Sequence, residues 1–428
     1  MMHGRPCEAR SRRRRTQRVA TVALMLGASR LSAQERLVGT RSAGAAMSID
    51  EVTFAGAGLS QATFNGLDST RIKRVRQFTL PVTAAMPLGD RWRIDLTTLY
   101  STGSVTYSDA TAASGTRTAT LSGISDVRLR ATGRVLRDGL IVTVGLNAPT
   151  GRTSLSLSEF SALRILSAPA LGLGSAPVGS GPSGTLGFVL PRKVGDWAMA
   201  FGASYEYRGR YQPIAALTAG SSSADFTPGG VVRASMSADR TIAANRLSVA
   251  VAADVFAEDK LKSALADGAA GNGGSGGSQS VASVKLGPVF SADAQMQFAV
   301  TRLREFLAYA AYRWRAPFAR DGITVDRSSG QYLETGVRAA VPLAAGRDLV
   351  LATDARWHSG LGIDLGLPTS GVLSGAASVG LNVRRGLLTL QPYVRVQGGS
   401  LTQHTPTVNK PTQGFAGATA GLVFSSRF

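Results

Sequence analysis

Gly414-Phe415-Ala416-Gly417-Ala418-Thr419-Ala420-Gly421-Leu422-Val423-Phe424-Ser425-Ser426-Arg427-Phe428 closes the chain. Ala418, Ala420, Leu422, Phe424 and Phe428 share one parity, with Ser426 as the one polar interruption. Side chains at every second position face the same way only in a strand. An edge strand of a soluble β-protein and the last strand of a closed barrel both give this pattern, so the rest of the chain has to decide.

The chain has 428 residues and 50 glycines, with 17% of its residues charged. That length suits two or three soluble domains or one large barrel, and the glycine content and lack of long helix-forming runs favour the barrel. Beyond the N-terminus no apolar run reaches the ~18 residues of a transmembrane helix. The mean hydropathy of +0.06 fits a barrel, in which lipid-facing and lumen-facing residues alternate and average out.

Residues 1–33 read as an export signal: Arg12 to Arg15 and Arg18 form a basic start, Val19 to Ala28 an apolar core, and Leu31-Ser32-Ala33 a cleavage site. Its removal lowers the net charge from +20 to +13 and takes away Cys7, the only cysteine. No disulfide or thiolate metal site then remains. Residues 34–47 read as a periplasmic segment and 48–428 as the barrel.

From Ser48 onward alternating stretches are joined by short turns on one side and long polar connections on the other. In Arg91 to Ser101, Trp92, Ile94, Leu96, Thr98 and Tyr100 face one way and Arg91, Arg93, Asp95 and Thr97 the other. Val75 to Met86 alternates likewise, and Pro87 to Asp90 turns between the two. Six further hairpins follow: 126–147, 185–208, 231–256, 281–314, 331–358 and 371–397. The long connections fall at 102–121, 148–182, 209–229, 257–280, 315–330, 359–370 and 398–413, all rich in Gly, Ser, Thr, Ala and Pro. This is the rhythm of an all-β, antiparallel, up-and-down transmembrane barrel with short periplasmic turns and long extracellular loops. Seven hairpins and the C-terminal strand make fifteen, and an even count requires one more near Ser48 to Ser60. The expectation is sixteen strands, with fourteen or twelve as alternatives.

On the lipid-facing parity Trp92, Tyr100, Trp197, Tyr207, Trp314 and Trp357 fall at the two expected interfaces as an aromatic girdle. Gly421, Leu422, Phe424 and Phe428 then have the form of the C-terminal insertion signal of outer-membrane barrels. The expected partners are outer-membrane lipid and lipopolysaccharide, the barrel-assembly machinery and a small solute. Nucleic acid is excluded, because the arginines are spread one or two per strand rather than gathered on one element.

The inward parity carries Arg91, Arg93, Arg128, Arg130, Arg134, Arg208, Arg233, Arg246, Arg313, Arg338, Arg356 and Arg395. Facing them are Asp95, Asp126, Glu206, Asp254, Glu334 and Asp354. Roughly two cations per carboxylate inside a low-dielectric wall favour anions. Cross-strand pairing that merely holds water is the competing reading. Catalysis finds little support: Asp354 and His358 share a face but lie four residues apart along a strand, about 13 Å, and the only other histidine of the barrel, His404, is in a loop. No cofactor or metal is expected. Gly179-Ser180-Gly181-Pro182-Ser183-Gly184 matches a phosphate-loop pattern but precedes a strand, where such a loop must open a helix. Gly268 to Ser278 reads as a flexible loop.

Two stretches carry a family likeness. Gly123-Ile124-Ser125-Asp126-Val127-Arg128-Leu129-Arg130 and Val142-Thr143-Val144-Gly145-Leu146-Asn147-Ala148-Pro149-Thr150-Gly151-Arg152, with the glycines from Gly179 to Gly184, resemble the outer-membrane transporters associated with the meta-cleavage pathway of phenol degradation. Those are distantly similar to long-chain fatty-acid and aromatic-hydrocarbon channels. The resemblance covers about 60 residues and implies passive uptake of small, often hydrophobic solutes. The arginine-rich interior and the absence of an Asn-Pro-Ala motif near the N-terminus depart from the fatty-acid channel pattern. The expected function is therefore a channel for small solutes. A structural or adhesive barrel with a loop-filled lumen is the alternative, and an outer-membrane protease or phospholipase a third.

Overall fold

The computed structural model describes residues 42–55, 71–108, 112–135, 139–167, 171–173, 178–214, 224–263, 280–326, 328–362, 367–403 and 412–427. The export signal with Cys7, the Gly268 to Ser278 tract, His404 and Phe428 lie outside them. The first strands are β1 (Ser42–Ala55), β2 (Arg71–Leu88), β3 (Trp92–Ser108), β4 (Thr116–Ile124), β5 (Val127–Arg134), β6 (Ile141–Ala148), β7 (Ser183–Val194) and β8 (Trp197–Arg208), with helix α1 (Leu157–Leu166) between β6 and β7. Next come β9 (Tyr211–Ile214), β10 (Ala224–Thr227), β11 (Val231–Ile242), β12 (Asn245–Phe256), β13 (Asp259–Ser263), β14 (Ser280–Lys285), β15 (Val289–Phe298) and β16 (Glu305–Arg315). The last are β17 (Ala319–Arg320), β18 (Ile323–Thr324), β19 (Gly330–Ala344), β20 (Arg347–Gly362), β21 (Leu367–Arg385), β22 (Leu388–Gln403) and β23 (Thr412–Arg427).

Seventeen of these segments form one antiparallel sheet. β4 and β5 both pair with β3, on either side of a break at Ser125-Asp126, and so make a single stave. The sheet thus has sixteen staves. It closes because β1 pairs with β2 on one side and with β23 on the other, the latter from Ser42↔Arg427 to Ala55↔Gly414. Closure leaves no open edge and satisfies every ladder group internally, as a sheet in lipid requires.

The outer surface carries the apolar parity. Ile49, Val82, Leu96, Leu129, Val144, Phe188, Phe201, Val251, Phe290, Leu351, Val379, Val394 and Phe424 are all exposed, and lipid covers such a band in a spanning barrel. Trp92, Trp197, Trp314 and Trp357 share this outward parity, as the register shows. Trp92 lies flat across Gly133 of the neighbouring strand, where an added Cβ would come within 2.2 Å of the indole. No helix among the described residues is long and apolar enough to cross a membrane.

Three sequence expectations change. The barrel starts at Ser42, so residues 42–47 belong to the wall and not to a periplasmic segment. The connections expected at 102–121, 359–370 and 398–413 are partly strand, because β3 runs to Ser108, β4 starts at Thr116, β20 and β21 reach Gly362 and Leu367, and β22 and β23 reach Gln403 and Thr412. The third concerns the connections at 209–229, 257–280 and 315–330. They contribute β9, β10, β13, β14, β17 and β18 to a separate six-stranded sheet above the barrel mouth. The wall bends into this sheet along a row of glycines and prolines. At Gly229 and Gly287 a Cβ would lie 2.4 Å and 2.3 Å from the backbone of Ala257 and Ala316, so only glycine permits that approach.

Candidate functional site in the barrel lumen

The described residues of 148–182, a stretch whose position the sequence left open, fold into the barrel as a plug. α1 begins at Ser156, whose side chain accepts from the Glu159 N–H while the Glu159 carboxylate accepts from the Ser156 N–H. This capping box satisfies two end donors that would otherwise lack partners. The Arg152 guanidinium, bonded to Glu159, is the first cause of a carboxyl held below its usual range. The native pKa is thus lower than the unfolded one, so the contribution is full above the ordinary Glu range and is lost as pH falls through the depressed value. Ser156→Ala is expected to cost roughly 1 kcal/mol of helix stability. The measurement is hydrogen exchange, which should quicken in 157–166 and leave the wall ladders unchanged.

The buried face of α1, with Ala162, Ile165 and Leu166, packs on Val52, Phe54, Val75, Val105, Tyr107, Leu121, Val372, Leu401 and Phe415. These wall residues are inward-facing positions of β1 to β4 and β21 to β23. The plug therefore occupies one side of the bore. Gly103 makes room for it, since a Cβ there would be 2.8 Å from both methyls of Leu166.

Asp126 ties the two stems of the plug to the wall. It is 3% exposed. One carboxylate oxygen accepts from Gly151 N (2.9 Å), at the start of the plug; the other accepts from Ser180 N (2.7 Å) and Oγ (3.2 Å), at its end, and from Asn147 Nδ2 (2.8 Å) on β6. Asn147 also donates to the Gly181 carbonyl at 2.8 Å. The residues quoted for the family likeness thus meet at one buried carboxylate. Asp126 accordingly does not line an open path, contrary to the sequence expectation. The glycine turn after Val178 wraps this carboxylate before entering β7 and serves as a clasp.

The plug tip reaches a charged cluster. Leu171 O accepts from Gln397 Nε2 at 2.8 Å. Gly172, at φ +65°, sits so close to Arg356 and Arg395 that a Cβ would lie 2.1 Å from an Arg356 nitrogen. Arg356 pairs with Glu334 (3.4 Å) and Asp354 (3.2 Å), and Arg395 pairs with the same Asp354 at 2.9 Å. The Tyr332 hydroxyl donates to Glu334 at 2.8 Å. Two cations and two carboxylates cancel, and none of the four is more than about a quarter exposed. His358 lies buried farther along β20, with Arg356 between it and Asp354.

Most of the other inward arginines are also neutralised. Arg93 pairs with Asp95 (2.7 Å), Arg208 with Asp259 (3.1 Å), Arg233 with Asp254 (3.3 Å) and Arg246 with Asp239 (2.8 Å). Arg338 is buried beside Glu305. Arg91 falls in the β2–β3 turn, outside the lumen wall. Glu206 faces inward, half-buried. Of the arginines singled out in the sequence, what remains is Arg128, Arg130 and Arg134 on β5, all exposed on the inner face and without an ion pair among the described residues, together with Arg313 on β16. Beside the middle of the β5 row, the next staves present small inward side chains: Arg130 faces Gly145, which faces Thr185, and Thr143 faces Gly187. β5 belongs to the fourth stave and β20 is the thirteenth. In a ring of sixteen these lie almost opposite, so the uncompensated charge faces the bore across from the neutral cluster.

No family model matches the sequence, and no curated protein matches it significantly. Among solved structures, an outer-membrane channel from Pseudomonas putida F1 is 14% identical with a TM-score of 0.35, covering 93% of this chain and 99% of that one. A Pseudomonas aeruginosa FadL homologue is 9% identical (TM-score 0.40, 91% and 90% covered). The CymD monoaromatic hydrocarbon channel is 8% identical (TM-score 0.36, 91% and 88%). At that similarity neither solute nor site carries over. By its own closure, strand rhythm and apolar outer band, the chain is a sixteen-stranded β-barrel of the bacterial outer membrane, with a plug held inside.

Proposed function

We propose that this protein is a channel for passive diffusion of small solutes across the outer membrane, with a path between the plug and the β5 to β12 wall that favours anions. The carrying observation is the row of three exposed arginines on β5, without an ion pair among the described residues, in a lumen whose other basic groups are largely compensated. Positive potential in a narrow, low-dielectric bore concentrates counter-ions at its walls. Arg128 and Arg130 are alternate residues about 7 Å apart, so an anion leaving one guanidinium finds the other nearby, and Arg134 follows about 13 Å farther along the strand.

The test is the reversal potential under a salt gradient in planar bilayers. The intact protein should prefer anions, and Arg128→Ala/Arg130→Ala/Arg134→Ala should abolish that preference while conductance persists. Cation preference in the intact protein would remove the reading. The plug supports a second one, a surface barrel with a filled bore. A conductance indistinguishable from the bare bilayer would favour that alternative.

A further inference from the structure

Along the upper half of the barrel exterior, the outward positions of the described strands are mostly apolar, aromatic, small or hydroxylic, and one charged group stands among them. Glu51 on β1 and Arg74 and Arg76 on β2 form a charged group there. Arg76 Nε lies 2.9 Å and Arg74 Nε 3.6 Å from the two oxygens of Glu51, with the arginine side chains 56% and 49% exposed. Register fixes their direction: Arg76 pairs with Glu51 and Ser104, and Arg74 with Thr53 and Thr106, all on the lipid-facing parity. A bulge between Ile72 and Arg74 leaves Lys73 exposed beside them. The group thus holds three cations against one carboxylate.

Its height is set by the aromatic pair beneath it. Phe78 and Tyr100, both outward, meet edge to face at 6.3 Å, and rings of this kind lie at the headgroup boundary. Arg76 is the next outward position above Phe78, about 7 Å along the strand, and Arg74 the one after. Around them the wall changes from aliphatic to hydroxylic, with Thr106 and Thr118 bonded across β3 and β4 at 3.2 Å. The long polar connections lie at this end, which faces the cell exterior.

We infer that Arg74 and Arg76, held side by side by Glu51 and assisted by Lys73, bind a phosphate of the anionic lipid headgroups in the outer leaflet. The guanidinium fork matches the phosphate oxygens pairwise. Glu51 meets each arginine at its Nε, and the exposed part of the side chain can turn to the headgroup. This reading rests on the barrel's membrane placement and is independent of what passes through the bore.

The experiment is native mass spectrometry of the full-length protein extracted in mild detergent from outer membranes, followed by titration with purified lipid A. Wild type should retain phosphorylated lipid. Arg74→Ala/Arg76→Ala should lower retention by an order of magnitude or more, at about five-fold per surface cation removed. Arg74→Lys/Arg76→Lys should fall between the two. Arg240→Ala, which removes an outward arginine stacked on Trp197 near the opposite rim, should change nothing. Bilayer conductance of every variant should match wild type, which separates lost binding from misfolding. Equal lipid retention in wild type and the double alanine variant would overturn the proposal. So would competition by millimolar inorganic phosphate as effective as that by lipid A, because the site would then be one for free anions.

Discussion

Asp126→Ala is expected to release the plug and raise single-channel conductance severalfold above wild type in planar bilayers, with the barrel still heat-stable on gels. One carboxylate gathers the first stem at Gly151, the second at Ser180 and the wall at Asn147. Its loss leaves those buried donors without acceptors, at about 1–3 kcal/mol each. The apolar face of α1 would still favour the wall, so the stems should detach first and the channel should flicker between two levels. Asp126→Asn keeps the shape but sets an amide against N–H donors, and should behave like the alanine variant. Unchanged conductance in both would show that the plug is held by its apolar face alone.

Asp354→Ala should have the largest effect on stability. The carboxylate serves Arg356 and Arg395 together, and removing one member of a largely buried ion cluster costs about 3–5 kcal/mol. Water in the bore places the expected value at the low end of that range. The same substitution converts a neutral cluster into one of net positive charge, so anion preference should rise as thermal stability falls. Denaturant unfolding in detergent reads the first and reversal potential the second. A stability loss without a shift in selectivity would place the cluster off the conducting path.

How far the fold could be read from the chain depended on what each face of the wall meets. Where lipid lies outside and water inside, the alternation of Trp92, Ile94 and Leu96 with Arg93 and Asp95 reads directly as a strand, and the even strand count followed. Higher up, the environments are exchanged. Val105, Tyr107 and Leu121 point into a dry interior packed by the plug, while Thr106 and Thr118 point outward. Those stretches still alternate, yet their serine, threonine and glycine content made them read as loops. The plug helix did carry a signal, for Ser156-Leu157-Ser158-Glu159 ahead of an apolar run is a capping-box pattern. The inward parity of the arginines was legible, but their neutralisation was not. Pairs such as Arg208 with Asp259 join residues 51 positions apart, and no periodicity marks them.

The pairing of β1 with β23 also orders assembly in time. Thr53 bonds to the carbonyl of Ala416 and Thr419 to the carboxylate of Asp50, contacts that span 363 and 369 residues. Every other seam of the wall joins neighbours in the chain and can zip as soon as both strands exist. This one cannot begin until residues 412–427 have been made, exported and delivered. Up to that moment β1 presents an open edge from Ser42 to Ala55, with the backbone groups on that side unpaired, which lipid does not tolerate. The earliest strand is therefore the last to be secured, and the chain must be chaperoned as an open sheet, with a seam that any truncation before Thr412 leaves unsewn.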